Sequence, residues 1–253
     1  MFPYRDENPS LLSPIVTVGL ILANIAVWVL VQGMGSGVAF ATSVCELGLI
    51  PGDLVGRLPV GYAIPIGDQM ACVVEAGRPW QTMLTSMFLH GGWLHLIGNL
   101  WFLWVFGNNV EDAMGHFRFA VFYILCGFAA ALAQVVVDPA SPVPMVGASG
   151  AISGVMGAYA ILYPRVRIWT LVVLLVLVFR VPVPAWVMLG YWFLLQLLGT
   201  GVDSVGGVAF WAHVGGFVGG VLLIFPFRDA SLLDRRNQML AARAWGAPQG
   251  GYP

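Results

Sequence analysis

The sequence predicts an all-α polytopic membrane protein, a bundle of six transmembrane helices with a long loop between spans 1 and 2, on three observations. Apolar residues make up 59% of the 253-residue chain and charged residues only 9%, more apolar than the surface of a water-soluble domain tolerates. Six stretches are apolar over about the 20 residues that a hydrocarbon core of roughly 30 Å demands. The basic residues, finally, divide unevenly between the two sides of the resulting topology.

Residues 1–13 contain Arg5-Asp6-Glu7 and read as a short cytoplasmic segment ahead of a membrane domain at 14–227. The first span, 15–32, is of full spanning length and lacks a small-residue cleavage site, so it is expected to stay as an anchor rather than be removed as a signal peptide. The stretch from 33 to 92 is too long for a mere connector. It holds Cys45 and Cys72 on the side expected to be oxidising, where a disulfide and two free thiols both remain open. Further spans are expected at 93–109, 119–137, 145–163, 185–198 and 208–227. Segment 168–179 is apolar but short, flanked by Arg165, Arg167 and Arg180 and followed by Pro182 and Pro184. An arginine near mid-membrane costs about 2.5–3.5 kcal/mol and each proline removes a backbone donor, so this segment reads as re-entrant or interfacial, not as a seventh span. Loop 199–207, with Gly199, Gly201, Gly206 and Gly207, suits a gate. Residues 228–253 are polar, end in Gly and Pro, and read as a disordered cytoplasmic tail.

Chemistry is concentrated at three places. Ser149 stands in Gly147-Ala148-Ser149-Gly150 and His213 in Ala212-His213-Val214-Gly215-Gly216, each at the start of an apolar run. A serine hydroxyl becomes a nucleophile when a neutral imidazole takes its proton. The two helices must enter from the same face for the pair to meet, so one span separates them. Glycines at 147, 150, 154 and 157, and at 215, 216, 219 and 220, give two smooth helix faces that suit close approach. The third place is His90-Gly-Gly-Trp-Leu-His95-Leu-Ile-Gly-Asn99. His95 and Asn99 are four apart, share one helix face and suit donation to a developing oxyanion beside the N–H at the Ser149 helix terminus. Among the polar residues, His90, His95, Asn99, Ser149, Ser153 and His213 are expected around a water-filled cavity. No Asp or Glu lies within the spans to orient His213, so the pair is read as a dyad with the imidazole fixed by packing. His116, beside Arg118, reads as a surface or interfacial residue.

Each feature alone has a plainer reading. A Gly-x-Ser-Gly in a membrane helix is usually a packing contact, and a lone histidine in a span is usually a hydrogen-bonded structural or proton-handling group. A small transporter or proton channel built on the histidines is a rival, but the internal symmetry frequent in transporters is not visible. A metal site is disfavoured because the histidines are too dispersed to form a ligand set. No cofactor, metal or nucleic-acid partner is expected.

In combination these motifs resemble the rhomboid family of intramembrane serine proteases, in its six-span bacterial form, over about 14–227. The resemblance implies that Ser149 is the nucleophile and His213 the general base, that His95 and Asn99 contribute to the oxyanion hole, and that His90 plays a structural part near the mouth of the site, with Gly147 and Ser153 supporting. It implies a transmembrane protein as substrate, approaching from the lipid bilayer and cut after a small residue. With nine of its 11 basic residues on one side and Arg57 and Arg78 on the other, the chain is expected to keep both termini in the cytoplasm of a cell-membrane, multi-pass protein, and the site to open outward. The bland rival here is a catalytically dead relative that binds membrane clients, though such relatives usually lack the serine or the histidine. Two departures stand out. Trp80 is followed by Gln81 where the family commonly has Arg, and Ser153 occupies a position where some members stack an aromatic on the histidine.

Overall fold

The structure, a computed structural model, describes residues 1–66, 70–75, 77, 80–174, 177–200 and 209–244. Strand β1 (Phe2–Asp6) precedes helix α1 (Ile15–Ala26), which runs on as a π-helical turn through Val31. There follow α2 (Gly37–Leu47), the short α3 (Pro51–Leu54), the hairpin β2 (Ala63–Ile66) and β3 (Met70–Val73), and α4 (Thr82–Thr85). The main bundle is completed by α5 (Trp93–Met114), α6 (His116–Val137), α7 (Ser149–Leu162), α8 (Ala185–Gly199) and α9 (Phe210–Phe227). Between α7 and α8 runs a second hairpin, β4 (Arg167–Leu174) and β5 (Leu177–Pro184), and α10 (Ala230–Ala244) closes the described chain.

Among the described helices, α6 and α9 are both long and apolar enough to cross a membrane. Helix α5 is as long as α6 but carries Glu111 and Asp112 in its last turn, while α7 and α8, at 14 and 15 residues, rise only about 21–23 Å.

Three expectations need correction. The chain is mostly helical but not all-α. Residues 167–184 are rich in Val, Leu and Ile with two prolines, a composition that suits strands and that Pro182 and Pro184 deny to a helix, and 167–174 and 177–184 join β1 in the antiparallel sheet β1-β4-β5. The fourth span begins at Ser149 rather than 145, because Met145 is bridged to Leu49 in extended backbone and Gly147 has φ +134°. The tail is not disordered over 230–244. Asp229 caps α10 through the N–H groups of Ser231 and Leu232. Arg236 reaches back from α10 to donate to Asn8 and lies 4.5 Å above the Tyr163 ring. Positions 201–207 of the loop read as a gate, and 245–253 of the tail, lie outside the described residues.

Alternating helix directions create two faces. One carries β1, the β4–β5 hairpin, the α5–α6 turn and α10, where Asp6 accepts from Tyr159 and Asn109. On that face Glu111 accepts from the N–H groups of Val16 and Thr17 and from the Thr17 hydroxyl, so a buried carboxylate satisfies first-turn donors of α1. His116, partly exposed, places Nδ1 2.5 Å from the same carboxylate. The other face carries the 33–92 segment, in which Cys45 and Cys72 are joined as a disulfide, and the N-terminal ends of α5, α7 and α9.

Helices α7 and α9 meet along their glycines. A Cβ at Gly216 would lie 2.0 Å from the carbonyl oxygen of Gly150, and one at Gly220 1.9 Å from that of Gly154. Any side chain there would push the backbones apart, and with them the residues at the helix starts.

Candidate active site

Ser149 is the first residue of α7 and His213 lies in the first turn of α9. The glycine contact holds the two helix starts together, and His213 Nε2 is 2.7 Å from Ser149 Oγ. On the far side of the ring, Nδ1 is 2.7 Å from Oε1 of Gln196 in α8. The Gln196 amide nitrogen donates to the Trp192 carbonyl, which turns Oε1 toward His213. An amide oxygen only accepts, so Nδ1 carries the imidazole proton and Nε2 presents a lone pair to the serine hydroxyl. Trp192, one turn before Gln196, lies 5.9 Å from the imidazole between ring centroids, and Phe210 lies 6.5 Å away.

The aromatic ring beside His213 on α8 is thus Trp192, tilted 42° to the imidazole. Ser153 turns its hydroxyl back to the Ser149 carbonyl at 2.6 Å. Sequence reading missed both Gln196 and Trp192. The signal available was a lone amide in the apolar run Tyr191-Trp-Phe-Leu-Leu-Gln196, since a polar group in such a helix is costly unless it has work to do.

His95 and Asn99 line the same cavity as Ser149, Ser153 and His213, a space of about 830 Å³. The Gly91 N–H donates to His95 Nδ1 at 3.2 Å, so the proton of neutral His95 sits on Nε2. A Cβ at Gly147 would stand 2.8 Å from that Nε2 and 3.5 Å from Ser149 Oγ. Glycine at 147 thus keeps open the gap between a donor and the serine, and its φ of +134° is one that side chains rarely adopt. Asn99 Nδ2 donates one hydrogen to the His95 carbonyl at 2.9 Å. A helix start brings further donors, because its first N–H groups lack intrahelical partners.

His90 stands behind this wall, fully buried, with its ring 5.2 Å from that of His95. Its backbone is held by the buried Gln32, whose amide donates to the His90 carbonyl and accepts from its N–H. That two-point contact anchors the loop ahead of α5, while Trp80 is 71% exposed.

Residues 77–230 match the Rhomboid domain family. The chain is 30% identical over 186 residues to RHOMBOID-like protein 5 of Arabidopsis thaliana, covering 68% of this chain and 56% of that protein. It is 29% identical over 171 residues to mitochondrial Rhomboid protein 1 of Saccharomyces cerevisiae, covering 65% and 46%. Against the rhomboid protease GluP of Bacillus subtilis it is 37% identical over 95 residues, 38% of this chain and 18% of the relative. The matched stretches span little more than half of these relatives' lengths at most. On the family match, the chain belongs to the rhomboid family of membrane proteins.

Proposed function

We propose that the chain is an intramembrane serine endopeptidase that hydrolyses a peptide bond in or near a transmembrane helix of another membrane protein. The observation that carries this reading is the relay Gln196–His213–Ser149, with both contacts at 2.7 Å, opening on a cavity whose polar wall includes His95 and Asn99.

In this reading Ser149 Oγ attacks the carbonyl carbon of the scissile bond while its proton passes to His213 Nε2. The carbonyl oxygen becomes an oxyanion and receives hydrogen bonds from the Ser149 N–H, His95 Nε2–H and the second Asn99 N–H, where donors aimed at developing charge lower the barrier. Collapse of the adduct expels the amine, which takes the proton from His213, and leaves an ester on Ser149. A water molecule, deprotonated by the same imidazole, then cleaves that ester. Besides that water, the steps draw only on side-chain and backbone groups.

The helices α1, α5, α6, α7, α8 and α9 are the six spans, and the arginine-rich face with both termini is cytoplasmic in the cell membrane. The site then opens to the outside, where water is at hand. The substrate helix has to unwind locally to expose its carbonyl, a cost that helix-breaking residues lower.

An alkyl phosphonofluoridate tests the nucleophile independently of any substrate. The expected result is one covalent adduct, mapped by mass spectrometry to Ser149 and lost in His213→Ala. An adduct at Ser149 formed equally fast without His213 would contradict general-base activation.

A further inference from the structure

The β4–β5 hairpin has an apolar surface that leaves large side chains exposed among the described residues. Its strands pair without a break from Arg167 opposite Pro184 to Leu174 opposite Leu177. β1 borders β4 only as far as Leu171, opposite Phe2, and beyond that point no described strand pairs with the hairpin. In β5, Leu177 and Phe179 on one face are 58% and 46% exposed, and Val178 on the other is 60% exposed. Successive strand residues point to opposite faces, and a hairpin beside water on one side alternates apolar with polar. Here the end of β5 from Leu177 to Phe179 is apolar on both faces, with Arg180 following on the Val178 face, which suits a medium that is apolar on both sides near that end.

The free edge argues against a protein strand as that medium. The bond from the Ala185 N–H to the Val166 carbonyl, carried through the register, puts the odd-numbered residues of β5 in hydrogen bonds with β4 and points the N–H positions of 178, 180, 182 and 184 outward. Two of these four are prolines without an N–H, and prolines on an edge block strand addition. An open edge is equally unsuited to the middle of a bilayer, where its remaining polar groups lack partners. The hairpin joins α7 to α8 and so begins at the membrane domain itself. Residues 165–184 contain Arg165, Arg167 and Arg180 and no acidic residue.

We propose that the β4–β5 hairpin is seated in the lipid leaflet of the face opposite the Ser149–His213 cavity, Leu177 to Phe179 among the upper acyl chains and its arginines among anionic headgroups. The proposal rests on the reading of this chain as a membrane protein. Arg180 is three residues, about 10 Å of strand, from Leu177, and a guanidinium reaches for the headgroups while its stem stays in apolar surroundings. Leu177 therefore lies no more than about 10 Å below the headgroup layer.

The test uses the full chain in vesicles of phosphatidylcholine and phosphatidylglycerol, with Val178→Cys and Phe179→Cys labelled separately with an environment-sensitive fluorophore. A label at Leu125→Cys on α6 reports independently on the bilayer. The expected result is blue-shifted emission at both 178 and 179, protection from aqueous iodide, and stronger quenching by lipids carrying a spin label near the headgroup than by those labelled near the chain end. Iodide access at either position with Leu125 protected overturns the hairpin proposal alone. Protection from iodide and lipid quenchers together means that protein covers the hairpin and overturns it too. Strongest quenching from the chain ends makes the segment a deep insertion and contradicts the shallow seat. Iodide access at Leu125 as well overturns the membrane reading beneath it.

Discussion

In the proposed mechanism, the position of one proton on His213 decides whether Ser149 can react. Nε2 accepts the serine proton only if Nδ1 holds the ring hydrogen, and Gln196 Oε1 is the group that keeps it there. Gln196→Leu leaves a buried N–H without a partner, a loss of about 1–3 kcal/mol, so kcat is expected to fall about 10- to 100-fold with KM little changed. Gln196→Glu restores the acceptor and adds a negative charge that favours the imidazolium. The acid limb of its pH–rate profile is expected to move to higher pH, a shift that a merely structural contact would not produce. Identical profiles for Gln196→Glu and the wild type would show that Gln196 does not act through the imidazole. The residues with a motif around them, Ser149, His213, His95 and Asn99, were legible in the sequence because small neighbours and fixed spacing marked them. Gln196 was not, because its partner is 17 residues away on another helix and no local pattern points to it.

Among the elements, the α7–α9 contact sets the distance on which the chemistry depends. Gly220→Ala would place a methyl group 1.9 Å from the Gly154 carbonyl oxygen. The helices then have to separate, at about the 1–3 kcal/mol typical of overpacking. Lower thermal stability in detergent is expected together with loss of activity. Full activity with unchanged stability would show that the helices can slide without opening the pair. Strand β1 carries a pH dependence. Burial pushes the Asp6 carboxyl up to about 6, against the lowering effect of its hydrogen bond from Tyr159. Its pKa is thus above the unfolded value of about 4, and between those values the folded protein holds more protons than the unfolded chain. Asp6 therefore contributes stability at low pH that is lost as pH rises through 6. Unfolding midpoints from pH 4 to 7 should fall more steeply in the wild type than in Asp6→Asn, and parallel curves would remove Asp6 as the cause. The bundle helices were legible as long apolar runs, whereas β4–β5 and α10 were not. An apolar run of eight residues fits strand or helix alike, and α10 is marked mainly by the cap at Asp229.

For the molecule as a whole, the sequence separates two jobs by face. Polar anchoring gathers where β1, α5 and α10 meet. Chemistry gathers at the opposite helix starts, beneath the disulfide-bridged 33–92 segment. The arginine pattern and the motif order had suggested a division of this kind. The contacts that join distant segments, such as Arg236 with Asn8 and Gln32 with His90, depend on tertiary arrangement and left no trace in spacing. The most direct test of the whole is cleavage of a reporter transmembrane helix in proteoliposomes by the wild type, Ser149→Ala and His213→Ala, with thermal unfolding showing that each variant is folded. Cleavage by the wild type alone is the expected result, both variants losing at least about 10⁴-fold in rate. Wild-type cleavage that persists in folded Ser149→Ala would contradict the assignment of Ser149 as nucleophile.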